Sequence, residues 1–119
     1  MKLPELRIGS LKPVLPIIQG GMAVRISTSS LAAAVANEGG IGIIAASGMS
    51  VQELREEIRR ARALSAGIIG INVMYAVSTF AELFKTALQE KIDLVISGAG
   101  FSRDMFAWGK EACVPVVPI

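Results

Sequence analysis

Small and amide side chains recur where the apolar stretches of this sequence end. Gln19-Gly20-Gly21-Met22 follows Leu15–Ile18, Ala46-Ser47-Gly48 follows Ile41–Ala45, Asn72 falls near the end of Gly67–Met74, and Ser97-Gly98-Ala99-Gly100 follows Leu94–Ile96. Glycine has no Cβ, so the chain can turn with positive φ there or bring its backbone close to a ligand. Residues of these types bind; they do not move protons. Four such ends on one edge of a sheet would make a floor for a flat ligand, although strand-to-helix turns favour the same residues for geometry alone. Asn72 is the most telling single residue. A carboxamide in so apolar a stretch needs a partner, either a ligand heteroatom or a neighbouring turn.

Proton-transfer and metal chemistry have few candidates. The sequence has no histidine, which rules out Ser-His and Cys-His pairs and histidine metal sites within it. Asp93 and Asp104 form no ligand set with the single cysteine, Cys113, and Asp104 reads as a first-turn carboxylate that favours a helix dipole. No catalytic residue and no metal ligand is expected. Gly98-Ala99-Gly100 lacks the third glycine and the later acidic residue of a dinucleotide fingerprint, and no phosphate loop occurs. The net charge is +2, and the mixed-sign run Glu53, Arg55, Glu56, Glu57, Arg59, Arg60, Arg62 reads as a solvated helix face. Aromatic residues do not interleave with it, so no nucleic-acid partner is expected. No apolar run reaches the ~20 residues that span a membrane. Met1–Glu5 has no signal-peptide core, and one cysteine permits no internal disulfide; both point to the cytoplasm. Cys113 itself, just ahead of an apolar strand, reads as an inert, partly buried thiol.

The hydrophobic pattern supplies the elements that must position these residues. Alternating apolar residues around Gly9-Ser10 predict a hairpin within 1–14 that could plug one end of a larger structure. Buried strands are predicted at Leu15–Gln19, Ile41–Ala45, Ile68–Val73, Leu94–Ser97 and Val114–Val117. Between them a small-residue helix runs from a Ser29 or Ser30 cap to about Glu38 and ends at Gly39-Gly40. A capping box at Ser50–Glu53 starts the next, with Val51, Leu54, Ile58 and Ala61 on one stripe and a Glu56–Arg60 pair opposite. Thr79–Glu82 reads as a second capping box, and Ser102 as the cap of a short helix through Trp108.

Continuous rather than alternating apolar strands mean a parallel sheet covered on both faces or closed on itself. The runs begin at 15, 41, 68, 94 and 114, a spacing of 20–27 residues that suits successive βα units. The fold class is therefore α/β, with a (β/α)₈ barrel preferred over an open five-stranded sheet. A whole barrel takes ~250 residues, so 119 residues correspond to its N-terminal half, about five βα units, and the chain is expected as one α/β unit over 1–119. The hydrophobic fraction of 52% exceeds the average of about 45–50% that counts glycine as well. Open sheet edges would then invite self-association.

Five segments occur in one order: Pro16-Ile17-Ile18-Gln19-Gly20-Gly21-Met22-Ala23, Leu31-Ala32 through Gly39-Gly40-Ile41-Gly42-Ile43-Ile44, Gly70-Ile71-Asn72-Val73-Met74, Ser97-Gly98-Ala99-Gly100, and Val114-Pro115-Val116-Val117-Pro118. Together they resemble the nitronate monooxygenase family, formerly called 2-nitropropane dioxygenases, in whose superfamily the flavin-dependent enoyl-[acyl-carrier-protein] reductases also fall. The resemblance covers essentially the whole sequence. It implies a TIM-type barrel binding FMN, with Gln19, Gly20, Gly21 and Met22 against the ring, Asn72 hydrogen-bonded to it, and Gly98 and Ala99 lining the same pocket. It implies oxidation of alkyl nitronates by O₂ to carbonyl compounds and nitrite, the flavin carrying the electrons. Enoyl reduction with NAD(P)H is the alternative, and a non-catalytic half-barrel that pairs with itself is a third. The family's phosphate loops and catalytic histidine belong to a second half that this sequence does not contain.

Overall fold

In the computed structural model, which describes residues 1–119, four strands alternate with four helices. They are α1 (Ser29–Asn37), β1 (Ile41–Ala45), α2 (Val51–Leu64), β2 (Ile68–Met74), α3 (Phe80–Gln89), β3 (Leu94–Gly98), α4 (Arg103–Glu111) and β4 (Val116–Pro118). The strands are all parallel and stand in the order β1-β2-β3-β4. A doubly wound sheet reverses its order at a switch point; this one does not. Its inner face carries Ile41, Ile43, Leu94 and Ile96, and its outer face packs Ile44, Ile69, Ile71, Val73 and Val95 on residues of all four helices. Sequential parallel strands with every helix on one side are the arrangement of a TIM-type (β/α)₈ barrel, of which the chain forms part.

The helix-side core has the energetic weight. Leu54, Ile58, Leu83, Phe84, Ile69 and Ile71 are fully buried, each worth about 1.5–3 kcal/mol over its exposed state. Helix α1 lies hard against β1. A Cβ on Gly42 would fall on the carbonyl oxygen of Ala32 and 2.5 Å from its carbonyl carbon. Only glycine on β1 and alanines on α1 (Ala32, Ala33, Ala36, all buried) permit that approach. On the inner face, Ile8 and Leu11 exchange backbone hydrogen bonds of 3.0 and 2.9 Å around Gly9 (φ 58°) and pack on the Ile41–Ile96 cluster.

Several local expectations are revised. Residues 15–19 are not a buried strand: Ile17 and Ile18 are exposed, and only a single bridge joins Ile18 to Ile41. Pro13 and Pro16 have no N–H to donate, and the Ile17 N–H turns back onto the Leu15 carbonyl at 2.8 Å. The sheet therefore has four strands, with this segment as a loose fifth edge. The Ser50–Glu53 capping box is present, and Ser102 caps α4 through the Met105 N–H. Thr79 makes no side-chain cap bond, because its backbone already lies in a turn (φ −91°, ψ 11°). Nor does Ser29 or Ser30 cap α1. Thr28 holds the N-cap position without a side-chain bond, and the Glu57 carboxylate accepts from the Ser29 N–H at 2.7 Å. Arg60 pairs with Glu57, one turn away, while Glu56 takes a bond from Gln52. Cys113 does precede the last strand, but it is exposed rather than partly buried, lying in a positive-φ turn (58°) after α4.

Candidate functional site

The carboxyl ends of the strands carry the residues singled out above. Along β2, Ile71 and Val73 face the helix-side core, so the period of two turns Asn72 to the inner face. In register it stands between Ala45 of β1 and Ile96 of β3. Gly21 and Gly98 close on it from two directions. A Cβ on Gly21 would lie 2.7 Å from the Asn72 Cβ, and one on Gly98 would lie 3.3 Å from its Oδ1. The half-buried Asn72 carboxamide finds no hydrogen-bond partner in the protein, although its backbone carbonyl accepts from Ala46. Of the two partners the sequence left open, no neighbouring turn takes this group.

Short bonds tie the strand ends into one edge. Ser47 Oγ accepts from the Met74 N–H at 2.8 Å, and the Tyr75 N–H donates to Gly98 O at 2.9 Å. Ser97 Oγ donates to Gly100 O at 2.6 Å, closing a turn in which Ala99 (φ 54°) and Gly100 (φ 129°) both have positive φ. A left-handed alanine costs about 1–2 kcal/mol, which the surrounding bonds must offset. Met22, Met74, Tyr75 and Phe101 leave exposed apolar surface around this edge.

The Gln19 side chain points away from that floor. It copies a strand partner for β1: the Ile43 N–H donates to Gln19 Oε1 at 3.0 Å, and Gln19 Nε2 donates to Ile43 O at 3.1 Å. The same Nε2 reaches Gly20 O (2.6 Å) and Ser27 Oγ (2.9 Å). Ser27, fully buried, accepts from the Met22 N–H at 2.9 Å and donates to Gly20 O at 3.1 Å. The structure thus gathers Gly21, Asn72 and Gly98. It leaves Gly20 facing open space and Met22 and Ala99 exposed, and it turns Gln19 inward. Ser27 was not foreseen. It lies in the polar run Arg25-Ile26-Ser27-Thr28-Ser29-Ser30, where any hydroxyl reads as a helix cap.

Charge is concentrated elsewhere. Glu90, at the end of α3 that precedes β3, holds Arg55 and Arg59 at 3.0 and 2.9 Å. The hydrogen bond from Arg59 lowers the Glu90 carboxyl below its ordinary range, and the Arg59 guanidinium is raised by the same bond. Asp93 pins the amino ends of β2 and β3, accepting from the Ile69 N–H (2.9 Å) and from Arg62 (2.8 Å). No group of three or more metal-binding side chains occurs, and no helix is long and apolar enough to cross a membrane. The largest groove, 420 Å³ between α3 and α4, is lined by Lys85, Leu88, Trp108 and Glu111 on the helix side of the sheet.

The family model for nitronate monooxygenase matches residues 5–101. The chain belongs to this family. A probable nitronate monooxygenase of Staphylococcus aureus is 45% identical over 58 residues, 49% of this chain and 16% of that protein. A Mycobacterium tuberculosis protein named (3aS,4S,5R,7aS)-5-hydroxy-7a-methyl-1-oxo-octahydro-1H-indene-4-carboxyl-CoA dehydrogenase is 26% identical over 103 residues, 87% of this chain and 29% of that one. Among solved structures, FabK from Thermotoga maritima matches with a TM-score of 0.79 at 34% identity, covering 83% of this chain and 32% of that one. A nitroalkane oxidase from Streptomyces ansochromogenes matches with a TM-score of 0.83 at 22% identity, over 89% and 40%, and shows the shared fold. The nitronate monooxygenase family member described here spans 16 to 29% of the length of these curated relatives.

Proposed function

We propose that the chain forms one wall of an FMN site in a flavin-dependent oxidoreductase that oxidises alkyl nitronates with O₂. Two nitronates and one O₂ give two carbonyl compounds and two nitrite ions. The observation that carries the reading is the Gly21–Asn72–Gly98 floor: two positions without side chains around a half-buried carboxamide that the protein leaves unbonded. A flat heteroaromatic ring with polar edges fits such a floor, the glycines admitting its face and Asn72 offering a donor and an acceptor to its edge. By this reading Gly20, Gly21, Met22, Gly98 and Ala99 line the ring, Asn72 bonds to it, and Gln19 belongs to the wall. When bound, the flavin accepts the electrons of the substrate and passes them to O₂.

An alkyl nitronate also carries an apolar end. The exposed Met22, Met74 and Tyr75 would meet an alkyl group.

The 34% identity to FabK favours a second reading, in which the same floor serves reduction of a 2-enoyl thioester by NAD(P)H. Joining residues 1–119 to the following strands of a family member tests both. A yellow protein that consumes O₂ with propyl-2-nitronate supports the first. One that oxidises NADH only when a 2-enoyl thioester is added supports the second. A folded product without flavin sinks both.

A further inference from the structure

We infer that Ser27, with Gln19, is a positioning residue that fixes the Gly20–Met22 backbone beside Asn72. This rests on the flavin reading above in one respect only: that the loop is fixed for a cofactor. Residues 20–26 contain no helix or strand, and the two glycines give them unusual freedom. Ser27 removes that freedom. Its hydroxyl uses its full capacity of one donor and two acceptor positions, on Gly20 O, Gln19 Nε2 and the Met22 N–H. Its backbone closes the loop by donating to Met22 O at 3.0 Å, and it fastens the loop to β1 by accepting from the Ala45 N–H at 2.8 Å. Gln19 grips the same strand two residues earlier, at Ile43.

The pattern of bonded groups shows what the clasp leaves free. Gly20 O, Met22 N–H and Met22 O are all held within the loop. The N–H groups of Gly20 and Gly21 are bonded to nothing in the protein, and Gly21 is the residue in contact with Asn72. Two free backbone donors are thus presented next to a free carboxamide by side chains that do not themselves reach the floor. Ser27, fully buried, can touch a ligand only through them.

The test compares the wild-type chain with Ser27→Ala, Gln19→Met and Ile58→Val. FMN binding is read by flavin fluorescence quenching, and the loop by the Gly20 and Gly21 amide resonances of ¹⁵N-labelled protein. Ser27→Ala and Gln19→Met should each weaken FMN on the order of tenfold and move both resonances. Ile58→Val, which loosens the α2 core, should lower the unfolding midpoint and leave both readouts unchanged. Unmoved resonances and wild-type affinity in Ser27→Ala would overturn the inference, as would an equal loss of affinity in Ile58→Val. If the wild-type chain takes up no FMN, affinity is read instead on the protein joined to the following strands, where absence of flavin defeats the cofactor reading, and the resonances of the chain alone decide whether Ser27 sets the loop. If Ser27→Ala does not fold, Gln19→Met decides on the same measurements.

Discussion

Asn72 of β2 and Gly98 of β3 are diagonal neighbours, Gly98 lying two residues beyond the Ile96 that pairs with Asn72, and they approach so closely that a Cβ on Gly98 would stand 3.3 Å from the Asn72 Oδ1. The glycine keeps the carboxamide edge clear, and no protein group bonds to it. That separates stability from binding. Asn72→Ala removes no intramolecular side-chain hydrogen bond, so the unfolding free energy should change by less than about 1 kcal/mol. Affinity for FMN should fall by about tenfold, the worth of one hydrogen bond to a ring edge of ~1.4 kcal/mol. Urea unfolding and flavin quenching on the same preparation check the pair. A large stability loss with unchanged affinity would make Asn72 a structural residue.

Gly42 and Gly20 make opposite predictions from the same substitution. A Cβ on Gly42 collides with the Ala32 backbone, which cannot move without shifting α1 off the sheet. Gly42→Ala should cost about 3 kcal/mol or more, at the upper end for overpacking. Gly20 has no atom within 4 Å of a Cβ position and no positive φ, so Gly20→Ala should stay within about 0.5 kcal/mol. Thermal unfolding of both variants measures the contrast, which would vanish if α1 could slide freely.

Continuous apolar runs are legible in the sequence, helix caps only unevenly, and partners distant along the chain hardly at all, for physical reasons. Ile41–Ala45, Ile68–Met74 and Leu94–Gly98 are strands because a continuous apolar run has nowhere else to go. The Ser50–Glu53 box forms because both partners lie within one turn. Leu15–Gln19 looks like those strands, but two prolines break its hydrogen-bond ladder, and the Gln19 side chain takes over the pairing with Ile43. That a side chain would replace a backbone is not visible in a hydrophobic pattern. Arg60 could have met Glu56 or Glu57, both within helical reach; Glu56 was taken by Gln52. At the floor, Gly21, Asn72 and Gly98 could be named as separate strand ends, but their meeting depends on register. Ser27 could not be named at all, since its partners lie five to eight residues away along an irregular loop.

Glu90 sets the expected pH dependence. Its carboxyl is lowered below the ordinary value of 4.5, first by the hydrogen bond from Arg59. The folded state therefore binds its proton less readily than the unfolded chain. Stability from this group is complete above pH 4.5 and is lost as the pH falls through the lower folded value. Glu90→Gln should lower stability at pH 7 and flatten the decline below pH 4.5. Arg59 is 65% exposed, so salt should shrink the difference between the two proteins. Unfolding midpoints from pH 3 to 7 at low and high salt test this; parallel curves for wild type and Glu90→Gln would exclude the ion pair as the cause.

Two sheet edges set the expected association of the 119-residue chain. On one side Ile17 and Ile18 are exposed beside β1, and a nearly all-apolar groove of 290 Å³ is lined by Leu15, Ile17, Ala34 and Val35. On the other, the three-residue strand β4 pairs only with β3, so its outer edge is open, and the side chain of Ile119 just beyond it is exposed. Unpaired backbone beside exposed isoleucine is a template for edge pairing. Sedimentation velocity at rising concentration should show a reversible dimer or larger species. Ile18→Lys should oppose it, because an edge lysine resists strand addition, and Ile18 lies outside both buried clusters, so folding should be unaffected. A wild-type chain that stays monomeric throughout would show that the short β4 and the proline-broken 15–19 segment already protect both edges.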